Sequence, residues 1–210
     1  LENTKKANLL LNKNLIFLTE LLEKHNIKFF VVKGQTIANS YPRPLHRVGG
    51  DIDFYCFAED LERLLSILHK ELNVEPKRDE SEQHYTFLFN KTLFELHFTL
   101  YKFANTENQQ YFDNLINSEP LSYIFIDNKK IPTLNPTLNL AYTFLHLFHH
   151  LIELGVGLRQ FCDVAILCHI AAMAEQEGDR KNCIDKTKLI EILTRLDFLK
   201  AFTAIGTVLV

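Results

Sequence analysis

Three carboxylates stand where metal-assisted chemistry is possible. Asp51 and Asp53 flank Ile52 in the run Asp51-Ile52-Asp53-Phe54-Tyr55-Cys56-Phe57, and Glu95 lies in the strand-like run 92–100. Side chains at i and i+2 of a strand share a face. Asp51 and Asp53 therefore project together, while Ile52, Phe54 and Cys56 enter a core. In the later run Phe94, Leu96, Phe98 and Leu100 form one face, and Leu93, Glu95, His97 and Thr99 form the other. If the two strands are near neighbours, Glu95 meets both aspartates. Three carboxylates clustered without basic partners repel one another, and a hard divalent cation, Mg²⁺ or Mn²⁺, relieves that repulsion. Two such ions about 4 Å apart would clamp the attacking and leaving oxygens of a phosphoryl or nucleotidyl transfer.

A second group precedes them. The short apolar run 27–32 reads as a buried strand and ends at Lys33-Gly34-Gln35-Thr36, where a helix turn is expected. Helix N-termini offer unpaired N–H groups and the positive end of a dipole to a phosphate. Gly34 allows close backbone approach, and Lys33, Arg43 and Arg47 could supply positive charge. Each residue also has a plain reading. Acids at strand ends are commonly solvated, Lys33 could be a snorkelling strand-end lysine, and Arg47 could pair with an acid such as Asp51.

These residues need a frame. Spacing predicts a helix over 5–25, with Leu9, Leu10, Ile16, Leu18, Leu21 and Leu22 as its apolar residues, and a second over 58–72. Strand-like runs at 83–89 and 92–100 are joined by a tight turn at Asn90-Lys91, and 123–126 reads as an edge strand. From Asn135-Pro136 the period becomes helical, with proline at a first helical position. Helices are expected to about 153, over 159–174, over 185–196 and from 199 onward. The division expected is an α+β domain over 1–130, with its N-terminal helix, and a helical domain over 131–210.

Composition sets bounds. The 210 residues are 47% apolar and 23% charged, which excludes disorder, and seven Gly with six Pro exclude collagen-like and low-complexity chains. With 23 basic and 26 acidic residues, net charge −3, and no basic block, capture of long nucleic acid is not encoded. No apolar run approaches the roughly 20 residues that span a bilayer. Cys56, Cys162, Cys168 and Cys183 form no C-x-x-C pair and read as free, mostly buried thiols. The expectation is a cytoplasmic protein without a membrane partner. The chain starts at Leu1, so a lost leader stays open.

The arrangement Val31-Val32-Lys33-Gly34-Gln35-Thr36, Tyr41-Pro42-Arg43-Pro44, Arg47, Gly50-Asp51-Ile52-Asp53, Phe94-Glu95-Leu96-His97 resembles the polymerase-β-type nucleotidyltransferase superfamily, and within it a poorly characterised bacterial branch. Leu145-His146, His149-His150, Leu158-Arg159 and Asp163 resemble that branch's helical half. The resemblance spans roughly residues 27–165. It implies a nucleotidyltransferase-like mixed sheet flanked by helices, followed by a C-terminal helical bundle. It implies two-metal transfer of a nucleoside monophosphate from an NTP to an acceptor, with Mg²⁺ or Mn²⁺ as cofactor. Asp51, Asp53 and Glu95 match its metal-holding and catalytic acids. Lys33, Gly34, Gln35, Thr36 and Arg47 would face the nucleotide. The pattern departs at Gly34-Gln35, where relatives carry Gly-Ser or Gly-Gly, so that Thr36 would have to supply the hydroxyl. Glu95 also replaces the usual third aspartate.

The acceptor is left open between a protein side chain and a small molecule, ahead of long RNA. A rival reading is a non-catalytic nucleotide-binding or antitoxin-like module that works through a protein partner. His146 and His150 share a helical face but lack the H-E-x-x-H pattern of a zinc site, and helix packing is the simpler account. Arg159 and Asp163 stand four apart, as a helix ion pair would.

Overall fold

The computed structural model describes residues 1–80, 83–179 and 182–209. They group into two compact units, Leu1–Lys102 with Leu121–Thr133, and Phe103–Pro120 with Leu134–Val210.

The first unit begins with α1 (Glu2–Lys24). Leu11, Leu15, Leu18 and Leu22 recur at helical spacing and are buried. Leu9, expected among the apolar residues of this helix, is instead 53% exposed. The helix is closed by Asn26, whose φ of 50° is left-handed, while the amide of Ile27 donates back to the carbonyl of Leu22. Next come β1 (Phe29–Val32), the short helix α2 (Gly34–Ala38), β2 (Asp51–Cys56) and α3 (Leu61–Leu72). The remaining strands are β3 (Lys77–Arg78), β4 (His84–Phe89), β5 (Thr92–His97), β6 (Ser122–Ile126) and β7 (Lys129–Thr133).

Among the described residues seven strands form one mixed sheet in the order β3-β4-β5-β2-β1-β7-β6. β2 runs antiparallel to β1 and parallel to β5. The β4–β5 and β6–β7 hairpins turn on paired left-handed residues, Asn90-Lys91 and Asp127-Asn128, the geometry that suits the right-handed twist of paired strands. One core joins α1 and α3 to a single set of alternate strand residues, among them Val31, Ile52, Phe54, Phe87, Phe94 and Leu96. The other set on β2 and β5, which includes Asp51, Asp53, Glu95 and His97, is thereby assigned to the opposite face.

The second unit is helical. α4 (Thr106–Ser118) was not anticipated: its segment is polar, with Phe112 and Ile116 buried. Asn105 caps it by accepting from the amides of Glu107 and Asn108. α5 (Pro136–His149) carries the expected cap, with the Asn135 side chain accepting from the Leu138 amide. It is buried nearly all round and continues as one π-helical stretch over His150–Leu154. α6 (Leu158–Glu177), α7 (Lys186–Arg195) and α8 (Leu199–Leu209) follow. Asp163 is buried and Arg159 exposed. The cysteines are free but not mostly buried. Cys56 is buried, Cys168 and Cys183 are partly so, and Cys162 is exposed, because its helix turns that position outward. Among the described residues no helix is long and apolar enough to cross a membrane.

Candidate active site

The register of the sheet builds the site. On the face away from the core, Asp53 of β2 stands opposite Glu95 of β5, which stands opposite Thr86 of β4. One step toward the start of β2, Asp51 is followed across the sheet by Leu93 and Leu88. One step the other way, Tyr55 is followed by His97 and His84. Adjacent strands lie about 4.8 Å apart, so Asp53 and Glu95 are neighbours. Asp53, Glu95 and His97 each offer a ligand atom, and these atoms lie within 4.8 Å of one another. Asp51 lies outside that group but is close enough for both acids to act on it. The histidines at 146, 149 and 150 are not part of this group, and it is the sole such group among the described residues.

The charges are not alike. Asp53 is buried, and Lys33 and His97 address the same oxygen. Lys33 Nζ donates to Oδ1 at 2.6 Å and His97 Nε2 meets it at 2.9 Å. Burial alone would raise the Asp53 pKa, but Lys33 and then His97 overcome it and hold the carboxyl below the usual carboxylate range. His97 Nε2 also lies 3.5 Å from Glu95 Oε2. Burial disfavours its charged form, yet its bonds to Asp53 and Glu95 lift its pKa above the ordinary histidine value. Its Nδ1 is buried without a hydrogen-bond partner. Asp51 behaves oppositely. Burial first, then the charges of Asp53 and Glu95, push its pKa up to about 6, with Lys33 pulling weakly down.

The expectation of carboxylates without basic partners therefore fails at Asp53. Lys33, in the turn between β1 and α2, reaches across to Asp53 of β2. Its backbone is left-handed, φ 53°, followed by Gly34 at φ 33°. A non-glycine residue held there costs on the order of 1–3 kcal/mol. A Cβ on Gly34 would sit 3.4 Å from the carbonyl oxygen of Asp51, so the turn after β1 runs tightly against the start of β2.

The side chains of Gln35 and Thr36 are engaged elsewhere. The Thr36 hydroxyl donates to the Lys33 carbonyl at 2.6 Å, closing the turn rather than facing outward. The buried Gln35 amide donates to Asn12 of α1. The Oε1 of Gln35 is buried without a hydrogen-bond partner. Arg47 is buried, and its carbonyl accepts from Asn8 of α1 at 2.7 Å. Arg43 is exposed. His97 is the member that sequence reasoning placed on the right face but gave no role. The signal was its position two residues after Glu95.

A family model described as an uncharacterised nucleotidyltransferase matches residues 1–208. No curated protein matches the chain. Among solved structures, the chain is similar to the antibiotic-resistance factor ANT(2'')-Ia in solution, at 12% identity and TM-score 0.57 over 96% of each chain. It is similar to an antigenic nucleotidyltransferase-like protein from Paracoccidioides brasiliensis, at 15% identity and TM-score 0.54 over 91% of this chain and 90% of that one. It is also similar to ANT(2'')-Ia in complex with adenylyl-2''-tobramycin, at 12% identity and TM-score 0.54 over 83% of this chain and 95% of the other. At these identities the likeness is one of fold. The match over residues 1–208 carries membership, and the chain belongs to this uncharacterised nucleotidyltransferase family.

Proposed function

We propose that the protein transfers a nucleoside monophosphate from an NTP to a hydroxyl acceptor, with Mg²⁺ or Mn²⁺ as cofactor. The observation that carries this reading is the parallel register of β2 and β5, which sets Asp53 beside Glu95 with Asp51 on the same face. The donor set fits a hard divalent cation. Carboxylate oxygens suit Mg²⁺ and Mn²⁺. The raised pKa of Asp51 marks negative charge that such an ion would relieve. Asp51, Asp53 and Glu95 would hold two ions, which when bound stabilise the charge on the entering and leaving oxygens.

The chain's own residues supply the rest. Glu95, on the far side of β2 from the Lys33-Gly34 turn, takes the proton of the acceptor hydroxyl. Lys33 and His97 orient Asp53 through its Oδ1. The backbone of Gly34, Gln35 and Thr36 faces the phosphates, Gly34 admitting their close approach, and Arg47 adds positive charge nearby. In the complex with adenylyl-2''-tobramycin, ANT(2'')-Ia holds an adenylylated small molecule, which supports a small-molecule acceptor here.

A non-catalytic module is the second reading, favoured by one observation: Lys33 and His97 already balance Asp53 from within. Pyrophosphate release separates the two. Incubation with each NTP and Mg²⁺ or Mn²⁺, in the presence of pooled hydroxyl compounds and protein extract, should release pyrophosphate with the wild type and not with Asp53→Asn. Nucleotide binding by calorimetry without pyrophosphate in any pool would establish the module.

A further inference from the structure

A cavity of about 250 Å³ lies among α1, α2 and the β6–β7 hairpin. α1 supplies Asn12, α2 supplies Gln35 and Ala38, and the hairpin supplies Ile126 and Asp127. Ile126 belongs to the core that α1 covers, so the cavity opens on the face of the sheet opposite to Asp53 and Glu95. Leu9 and Phe125 form its rim and are 53% and 54% exposed.

Three carboxamides, Asn12, Gln35 and Asn39, line this cavity. Gln35 is only 5% exposed. Its NH₂ donates to Asn12 Oδ1, while its Oε1 is buried without a hydrogen-bond partner. A buried acceptor left unpaired weakens a fold, and a ligand N–H that reaches it recovers the loss. The terminal torsion of a glutamine is broad and two-fold, so the amide can turn its oxygen toward an occupant while the backbone of α2 stays in place.

The lining selects the occupant. Carboxamides pair with an edge that sets a donor beside an acceptor, as N6 and N7 of adenine do. Phe125 offers a ring on which a flat base stacks. The volume falls below the roughly 300–1,000 Å³ of drug-sized sites, which suits one base with part of its sugar. Among the described residues that line the cavity none is basic, and Asp127 is acidic, so a phosphate is repelled rather than held. We propose that this cavity binds an uncharged purine nucleoside, a ligand separate from the NTP of the active site. Because the cavity and the acids lie on opposite faces of the sheet, this nucleoside is not the acceptor of the transfer, and its binding does not depend on the transfer reading.

The test titrates the full chain in chelator with adenosine, uridine and AMP, reading the side-chain amide signals of Asn12, Gln35 and Asn39 by NMR. Adenosine should shift them saturably, with half-saturation at or below about 1 mM, and uridine and AMP should each bind at least tenfold more weakly. Phe125→Ala removes an exposed ring and should weaken adenosine at least fivefold. Asp127 has φ 45°, which asparagine tolerates, and Asp127→Asn should bring AMP to within about threefold of adenosine. Non-hydrolysable NTP analogues with Mg²⁺ should leave the adenosine shifts in place. Absence of saturable shifts, equal affinity for uridine or AMP, or unchanged adenosine affinity in Phe125→Ala overturns the nucleoside assignment. An AMP deficit that survives in Asp127→Asn, or displacement of adenosine by an NTP analogue, overturns a separate site that excludes phosphate.

Discussion

Replacing Asp51 by asparagine should stabilise the metal-free protein while removing its function. The Asp51 carboxyl titrates at about 6 in the folded chain against an ordinary 3.8. At about 1.4 kcal/mol for each pKa step, its ionisation destabilises the folded state by about 3 kcal/mol. Because the folded pKa is raised, the folded state holds the proton more tightly. The penalty is absent below pH 3.8, grows through the interval and is complete above about pH 6. Asn has nearly the same shape and no charge. Urea denaturation at pH 7.5 in chelator should therefore find Asp51→Asn about 2–3 kcal/mol more stable than wild type, with the gap closing as pH falls from 6 toward 4. Mn²⁺ at a hundred times its dissociation constant should close most or all of the gap, since it adds about 2.7 kcal/mol to a protein that binds it and the variant has lost a ligand. A variant equal to or less stable than wild type in chelator at pH 7.5, or a gap that ignores pH, refutes the burial and like-charge crowding that raise the Asp51 pKa.

Lys33→Met should do the opposite. It leaves Asp53 buried with half its cationic support, at a cost of about 3–5 kcal/mol at pH 7.5. The folded pKa of Asp53 is depressed, so this deficit should shrink as pH falls below the ordinary carboxylate value toward the depressed one, measured by denaturation at pH 7 and pH 3.5. His97→Gln should cost more stability at pH 6 than at pH 9. The raised pKa of His97 makes its protonated form stabilising below about 6.5, a contribution lost as pH rises through the folded value. Gly34→Ala should lower affinity for NTP, read by calorimetry, by tenfold or more. The φ of 33° at Gly34 is one that an alanine adopts only under strain, so the turn shifts.

Much of the sheet that positions the site was legible because strand alternation is strict. Ile52, Phe54, Phe94 and Leu96 mark the core face of β2 and β5, and the left-handed pair at Asn90-Lys91 marks the hairpin. β7 was not legible, since Pro132 cannot donate to a ladder and argues against a strand, yet it pairs with Tyr123 at the sheet margin. α4 escaped because a segment with two buried residues shows little helical period. The ion pair between Lys33 and Asp53 was beyond sequence reading for a different reason. It depends on a left-handed lysine, a conformation that propensity does not anticipate, and on the adjacency of β1 and β2. His97 stood in the pattern beside Glu95, but its bridge to Asp53 follows from the register of the strands rather than from either residue.

The central claim is transfer of the α-phosphoryl group. Parallel incubations with NTP labelled at the α-phosphate and at the γ-phosphate, with Mn²⁺, pooled hydroxyl acceptors and wild-type protein, test it directly. The account predicts α-label covalently on the acceptor, γ-label wholly in pyrophosphate, and neither outcome with Asp53→Asn. Label transferred from the γ position, or α-label released only as free nucleotide, would contradict it.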